Sequence, residues 1–215
     1  MLMKNGRPQR SCFKDVFTPH TMSFVEAFYS FTIELTAPDR DLYEKIRLKI
    51  PRHPHESLQF LYARVIAFLH AYRSGQEFSR VLFEPKEPTI WHKDVTGDLL
   101  LWLEVGCPDE TKLQRVIRRR PQPELRIYFF APEQSGAFCH QLRGSTTNWV
   151  EPVQFYSIEP ALLEGIVPLE RSSSRWAANF IDTTLYLTVD GHDFISEVAP
   201  LDIWAQYQSA LENLA

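Results

Sequence analysis

The sequence predicts an α/β chain with a mixed β-sheet, and three observations carry that expectation. Short segments rich in β-branched and aromatic residues recur along its 215 residues. Two stretches have helical periodicity, 52–74 and 108–120. The order strand, strand, helix, strands, helix, strand then describes a sheet with helices packed on it. No Pro/Gly-rich linker divides the chain, so residues 22–215 are expected to form one domain. Residues 1–21 lack apolar periodicity and are expected to be a flexible extension.

The elements follow in order. "FVEAFYSFTIEL" (24–35) and "YEKIRLKI" (43–50) are strands around the turn "APDRD", the second alternating with Ile46, Leu48 and Ile50 on one face. "RHPHESLQFLYARVIAFLHAYRS" (52–74) carries Leu58, Leu61, Val65, Phe68, Leu69 and Tyr72 at helical spacing. Pro54 suits a first helical position and Glu56 a first turn. "FSRVLFEP" is a short strand or an extended connection. "TIWHK" (89–93) and "DLLLWLEVG" (98–106) form a hairpin around "DVTG". "PDETKLQRVIRRR" (108–120) is a helix, "ELRIYFFA" (124–131) a buried strand, "EQSGAFCHQLR" a short helix and "PVQFYSIE" a strand. "EPALLEGIV" is a helical turn. "TLYLTVDGHDFISEV" (184–198) is a hairpin signalled by Asp190-Gly191, and the last residues are weakly helical.

Composition restricts the function classes. Hydrophobic content of 44% and charged content of 23% are ordinary for a globular chain. A net charge of -4 confines any anion-binding face to a local patch such as "RVIRRR". Three well-separated cysteines argue against a disulfide framework and for a reducing, cytoplasmic setting. No apolar run approaches the roughly 18 residues of a membrane span, so no membrane partner is expected. There is no P-loop, no G-x-G-x-x-G and no G-x-S-x-G. The pair His53 and His55 has no accompanying Cys or His cluster at a zinc spacing.

Glu104 is the residue to explain, because it lies between Leu103 and Val105, where a strand core disfavours a charge. With the hairpin turn centred on Val95-Thr96, Glu104 faces Glu87. Asp94 and Asp98 lie near the turn, roughly 20 Å away along the strand. Two adjacent carboxylates bind a cation, share a proton or splay into solvent. Lys112 and Arg115, on the following helix, are the nearest cations that could return over the strand end. Arg118, Arg119 and Arg120 either complement the dipole of that helix's last turn or form a phosphate-binding face.

An acid on one strand and another on its hairpin neighbour resembles the metal site of the PD-(D/E)xK nuclease fold. "RHPHES", "EPTIW", "TGDLLLWLEVGCPDE" and "VQFYSI", in this order and spacing over about residues 22–200, more specifically resemble the YaeQ family, a variant branch of that fold. The resemblance implies a restriction-endonuclease-like αβββαβ core with extra β-hairpins. It also implies Glu56 on the first helix, Glu87 and Glu104 on the hairpin, and a displaced basic residue nearby. Two functions are then expected. One is a metal-dependent phosphodiesterase or nuclease in which Glu87 and Glu104 hold Mg²⁺ or Mn²⁺, Glu56 binds a metal water, and Lys112 or Arg115 stabilises the reacting phosphate. Arg52, His53, Arg118 and Arg119 would then contact phosphate. The other is an inactive nuclease-like module that binds nucleic acid or a protein partner in regulation. The chain departs from the nuclease pattern where Gly106 stands at the usual lysine position. Within the family pattern, Leu100 replaces a frequent acid, and Lys appears at 112 where Arg115 occupies the more usual lysine position.

Overall fold

A computed structural model describes residues 27–79, 86–145 and 147–212. The expectation for residues 1–21, and most of "FSRVLFEP", lie outside the described residues. The described chain forms ten strands in one mixed sheet: β1 (Ala27–Ala37), β2 (Leu42–Arg52), β3 (Gln76–Phe78), β4 (Ile90–Lys93), β5 (Leu99–Val105), β6 (Glu124–Phe129), β7 (Val153–Ile158), β8 (Ser173–Ile181), β9 (Thr184–Val189) and β10 (His192–Leu201). Their order across the sheet is β2-β1-β8-β9-β10-β7-β6-β5-β4-β3. Five α-helices accompany them: α1 (Leu58–His70), α2 (Glu110–Ile117), α3 (Pro132–Gln141), α4 (Pro160–Ile166) and α5 (Ile203–Glu212). Among the described residues, no helix is long and apolar enough to cross a membrane.

The two sides of the sheet carry different cores. Helix α1 is buried without interruption from Leu61 to Leu69, because sheet and α4 enclose it from both sides. Its cluster includes Phe31, Ile33 and Leu35 of β1, Leu101 and Leu103 of β5, and Leu162, Leu163 and Ile166 of α4. On the opposite side, Trp102, Leu125, Ile127, Phe129 and Phe155 pack against residues of α2, α3 and α5. Alternation along β5 produces this division: Leu101 and Leu103 face α1, whereas Trp102 and Glu104 face α2. Strand β10 joins the two halves, pairing with β9 through residues 192–197 and with β7 through 198–201. The segment α1-β3-β4-β5-α2-β6 has β3, β4 and β5 antiparallel and β6 parallel to β5.

Most expected elements are present, and the differences have local causes. Helix α1 starts at Leu58, not at 52–54. Strand β2 keeps pairing with β1 as far as Arg52, and Ser57 Oγ accepts the Phe60 N–H at 3.1 Å as the N-cap. Glu56 therefore precedes the helix. Helix α2 likewise begins after Pro108, with Asp109 Oδ1 accepting the Lys112 N–H at 3.2 Å. Strand β8, with the serine-rich start "SSR", received no assignment from sequence. It is the central strand of the first half-sheet, parallel to β1 and antiparallel to β9. The β9–β10 turn is as expected: Asp190 and Gly191 both have positive φ, 48° and 88°, the twist that a two-residue hairpin requires.

His70 ends α1 beneath the aromatic residues of β6 and β7. Its Nδ1 lies 2.7 Å from Tyr128 Oη, and its ring meets Tyr156 and Phe180 edge-on. Burial, with Arg126 and Arg40 adding positive charge nearby, pushes its pKa down to about 3 from 6.5. In that window the unfolded chain binds this proton and the folded chain does not, so stability falls as pH drops from about 6.5 toward about 3. Unfolding measured across this window should show that loss in the natural chain. His70→Gln should remove most of it, and an equal slope in both proteins would place the acid sensitivity elsewhere.

Candidate functional site

The candidate site lies beyond the carboxyl ends of β5 and β6, a common place for ligand clefts in sheets with parallel strands. Strand β5 ends at Val105 and the chain turns at Gly106, whose φ of +86° favours glycine. Helix α2 then runs back across the sheet. A cleft of about 710 Å³ opens there, with Glu87, Thr89, Glu104, Asp109, Lys112 and Arg115 among its lining. Phe60 of α1 and Phe130 after β6 form an apolar wall, their rings 5.7 Å apart in an edge-on arrangement.

Glu104 is 4% exposed, and both its oxygens are engaged. Oε1 accepts from Lys112 Nζ at 2.8 Å and from the Trp102 indole N–H at 2.8 Å, and Oε2 accepts from Thr89 Oγ1 at 3.2 Å. Burial pushes the Glu104 carboxyl up, and Lys112, Trp102 and Thr89 act against that shift. The charge in "WLEVG" is thus compensated by a cation from the next helix.

The hairpin register corrects the expected Glu87–Glu104 facing. Asp94 N–H reaches the Asp98 carbonyl at 2.9 Å, and Gly97 takes φ +92°, so the loop is Val95-Thr96-Gly97. This is a three-residue loop rather than a two-residue turn. A further register shift lies between His92 and Lys93. Each irregularity slips the pairing by one residue, leaving Ile90 opposite Leu103 and setting Thr89 beside Glu104. Two slips preserve the face, so Glu87 still lines the same cleft as Glu104. Asp94 and Asp98 lie outside it. Asp94 Oδ1 is held in the turn by the N–H groups of Thr96 and Asp98.

Glu56 is engaged elsewhere. It is 2% exposed and forms a fork with Arg64, Nε to Oε1 at 2.7 Å and Nη2 to Oε2 at 2.8 Å. The His53 N–H adds a bond to Oε2 at 3.1 Å. Burial pushes the Glu56 carboxyl up and the Arg64 guanidinium down, while each favours the charged form of the other. Glu56 does not line the Glu104 cleft, and neither do Arg52 and His53. Arg52 Nε donates to the Glu56 carbonyl at 3.0 Å, and His53 Nδ1 accepts the His55 N–H at 3.2 Å.

The basic residues of α2 divide by direction. Lys112 and Arg115 lie three residues apart on one side of α2, and Arg119, just beyond the helix, lies beside them. With Lys86, Trp102 and Val116 they line a second cleft of about 350 Å³ that contains four cations and no carboxylate. Arg119 and Arg120 also line a third cleft with Lys86, Lys93, Trp91 and Asp98. Arg118 is exposed at the C-cap of α2 and belongs to none of these clefts. Sequence reasoning did not select Lys86, Trp102 or Thr89. Trp102 was detectable, since it lies two residues from Glu104 on the same strand face.

The donor set does not fit a divalent cation in this arrangement. Such an ion takes six or more oxygen ligands at about 2–2.6 Å, whereas Glu104 accepts from an ammonium, an indole N–H and a hydroxyl. Among the described residues, no group of three or more His, Cys, Asp or Glu could hold a metal.

Glu56→Gln should remove the counter-charge of the buried Arg64 and destabilise the fold by about 3–5 kcal/mol. Glu104→Gln should cost less, because Lys112 can swing toward the cleft and regain water. Denaturant unfolding of the two variants compares them directly. A larger loss for Glu104→Gln would reverse this ranking.

Comparison with known proteins places the chain in a family. Two crystal structures share the fold: YaeQ protein from Pseudomonas syringae (TM-score 0.70, 23% identity, 82% of this chain and 96% of that one) and YaeQ protein from Xanthomonas axonopodis pv. citri (TM-score 0.71, 19% identity, 82% and 97%). The uncharacterised protein YaeQ of Escherichia coli K12 is 26% identical over 107 residues, which are 50% of this chain and 59% of that protein. The Salmonella typhi protein is 24% identical over the same length. The chain thus spans less than two thirds of the curated relatives it matches. A profile of the YaeQ protein family matches residues 22–198, and the chain belongs to that family.

Proposed function

We propose that the chain is a nuclease-like module that binds the phosphate backbone of a nucleic acid along one side of α2, with no resident metal required. The cleft lined by Lys86, Lys112, Arg115 and Arg119, with Glu104 behind Lys112 and no carboxylate in the lining itself, carries this reading. In a chain of net charge -4, such a cluster is a local reversal of sign. Trp102 and Val116 are the cleft's apolar lining, and the Trp102 ring centroid lies 5.7 Å from Lys112 Nζ.

Glu104 acts here as a positioning residue. It takes one of the three N–H donors of Lys112 and holds that ammonium between the two clefts, both of which Lys112 lines. Arg115 also lines both clefts, and its guanidinium suits a phosphate's paired oxygens. The segment α1-β3-β4-β5-α2-β6 has the αβββαβ order expected of a nuclease-like core, which supports nucleic acid as the anion.

Metal-dependent phosphodiester hydrolysis is the second reading, because Glu87 and Glu104 line one cleft. It requires Mg²⁺ or Mn²⁺ to replace the Lys112 ammonium at Glu104.

Fluorescence anisotropy with labelled single-stranded and duplex DNA and RNA, titrated with salt, tests the binding reading. Affinity should fall steeply with salt. Arg115→Ala combined with Arg119→Ala should reduce the log-log slope by about 1.8 for duplex and about 1.4 for single strands. Absence of binding at low salt, or an unchanged slope, would remove the reading. Incubation of the same probes with Mn²⁺ should leave them intact. Cleavage that disappears in Glu104→Gln would establish the metal reading instead.

A further inference from the structure

Among the described residues, the helices α2, α3 and α5 cover their side of the sheet over β5, β6 and β7. Leu201 of β10 still packs against that second core, and residues 193, 195, 197, 199 and 201 alternate onto the same side. Yet Ile195 is 74% exposed. Among the described residues, the first half-sheet, β2-β1-β8-β9-β10, has no helix packed on this face. Its exposed large apolar residues include Tyr43 at 64% and Tyr186 at 43%, with Phe28 and Ile181 also exposed. Tyr43, Tyr186 and Ile195 are large apolar side chains of an otherwise polar, unpartnered sheet face.

The pairing registers arrange this face in rows. One row reads Tyr43, Thr36, Asn179, Tyr186, Ile195 from β2 to β10. The next reads Lys45, Glu34, Ala177, Thr188, Asp193. The β2 border is basic, with Lys45, Arg47 and Lys49, and the β10 border has Asp193 and Glu197. Ala177 on the central strand leaves a trough along the middle, lined on its flanks by Glu34, Thr188 and neighbours.

We propose that this face binds a second copy of the chain, through a two-fold axis parallel to the central strand β8. Such an axis lays β2 of one copy over β10 of the other and keeps each row at its own height. Tyr43 then meets the second copy's Ile195, and Lys45 meets the second copy's Asp193. Ala177 meets its own equivalent, which lets the two backbones approach closely. Each contact occurs twice, as an isologous interface requires, and sheets packed face to face stay within about 30° of alignment. Four strand spacings plus side-chain margins by some eight residues of strand give about 700 Å² per copy, near the roughly 800 Å² of a standard interface. The opposite charges of Lys45 and Asp193, brought together twice in the same row, are what favour this occupant. A partner of uniform charge would meet a repulsive border on one side.

Sedimentation velocity on the full chain from about 1 to about 100 µM tests this, a range suited to an interface of this size. The natural chain should shift from monomer to dimer within it. Ile195→Lys should remain monomeric at unchanged melting temperature, since the residue is exposed in the monomer. Lys45→Asp and Asp193→Lys should each weaken the dimer at least tenfold. The combined swap should restore it, although the exposed Lys45–Glu34 pair is lost both in Lys45→Asp and in the swap. A natural chain monomeric throughout, a dimer indifferent to Ile195→Lys, or a swap without rescue would each overturn the proposal. None of these outcomes bears on the phosphate cleft, which lies on other strands.

Discussion

The contact between Glu104 and Lys112 governs the second side of the molecule. It ties the end of β5 to the first turn of α2 at 2.8 Å. A buried carboxylate is costly without a partner, so this strand position requires a cation arriving from outside the sheet. The chain supplies it by turning at Gly106 and capping α2 with Asp109, whose Oδ1 binds the backbone N–H of Lys112 itself. Cap and ion pair converge on one residue. Fixing Lys112 also fixes the rotation of α2, which directs Leu113 and Val116 into the core and Arg115 toward the cleft, where Arg119 joins it from just beyond the helix. The basic stripe thus follows from the same constraint that makes Glu104 tolerable inside the sheet.

Much of the fold was legible because its elements carry strong local signals. The Asp190-Gly191 turn, the alternation of β2 and the apolar run of α1 each point to one local structure. Boundaries were less legible where two signals competed. Pro54 suggested a helix start, but ladder bonds from β1 continue to Arg52 and Ser57 provides a better cap. Strand β8 carries a weak alternation because two of its buried positions are the small residues Ser174 and Ala178, while Ser173, Arg175, Ala177 and Asn179 between them have little β-propensity. Its burial comes from β1 and β9, which are distant in sequence or join it later.

The candidate site shows a finer limit. A turn centred on Val95-Thr96 was correct in place but wrong in geometry. Gly97 in the left-handed region adds one residue to the loop, and the irregularity at His92 adds another. Neither slip is visible as a pattern, since period-two alternation survives a shift of two. Glu87 stays at the cleft for that reason, while Thr89 takes the place opposite Glu104.

Glu56 and Glu104 show why residue type and spacing alone do not identify a functional acid. Each is paired with a cation eight residues further on, Arg64 and Lys112. Each has its carboxyl pushed up by burial and acted on in the opposite sense by its partner. The difference lies in where the cation points. Arg64 projects from the middle of α1, enclosed by sheet and α4, and its side chain is 2% exposed. Its Nε and Nη2 donate to Glu56 and the Pro51 carbonyl. Lys112 projects from the first turn of a helix that covers only the strand end, and its side chain is 15% exposed. The first pair can only stabilise or destabilise the fold. The second presents a held ammonium to solvent beside three further cations, and that accessibility is the property an anion can use.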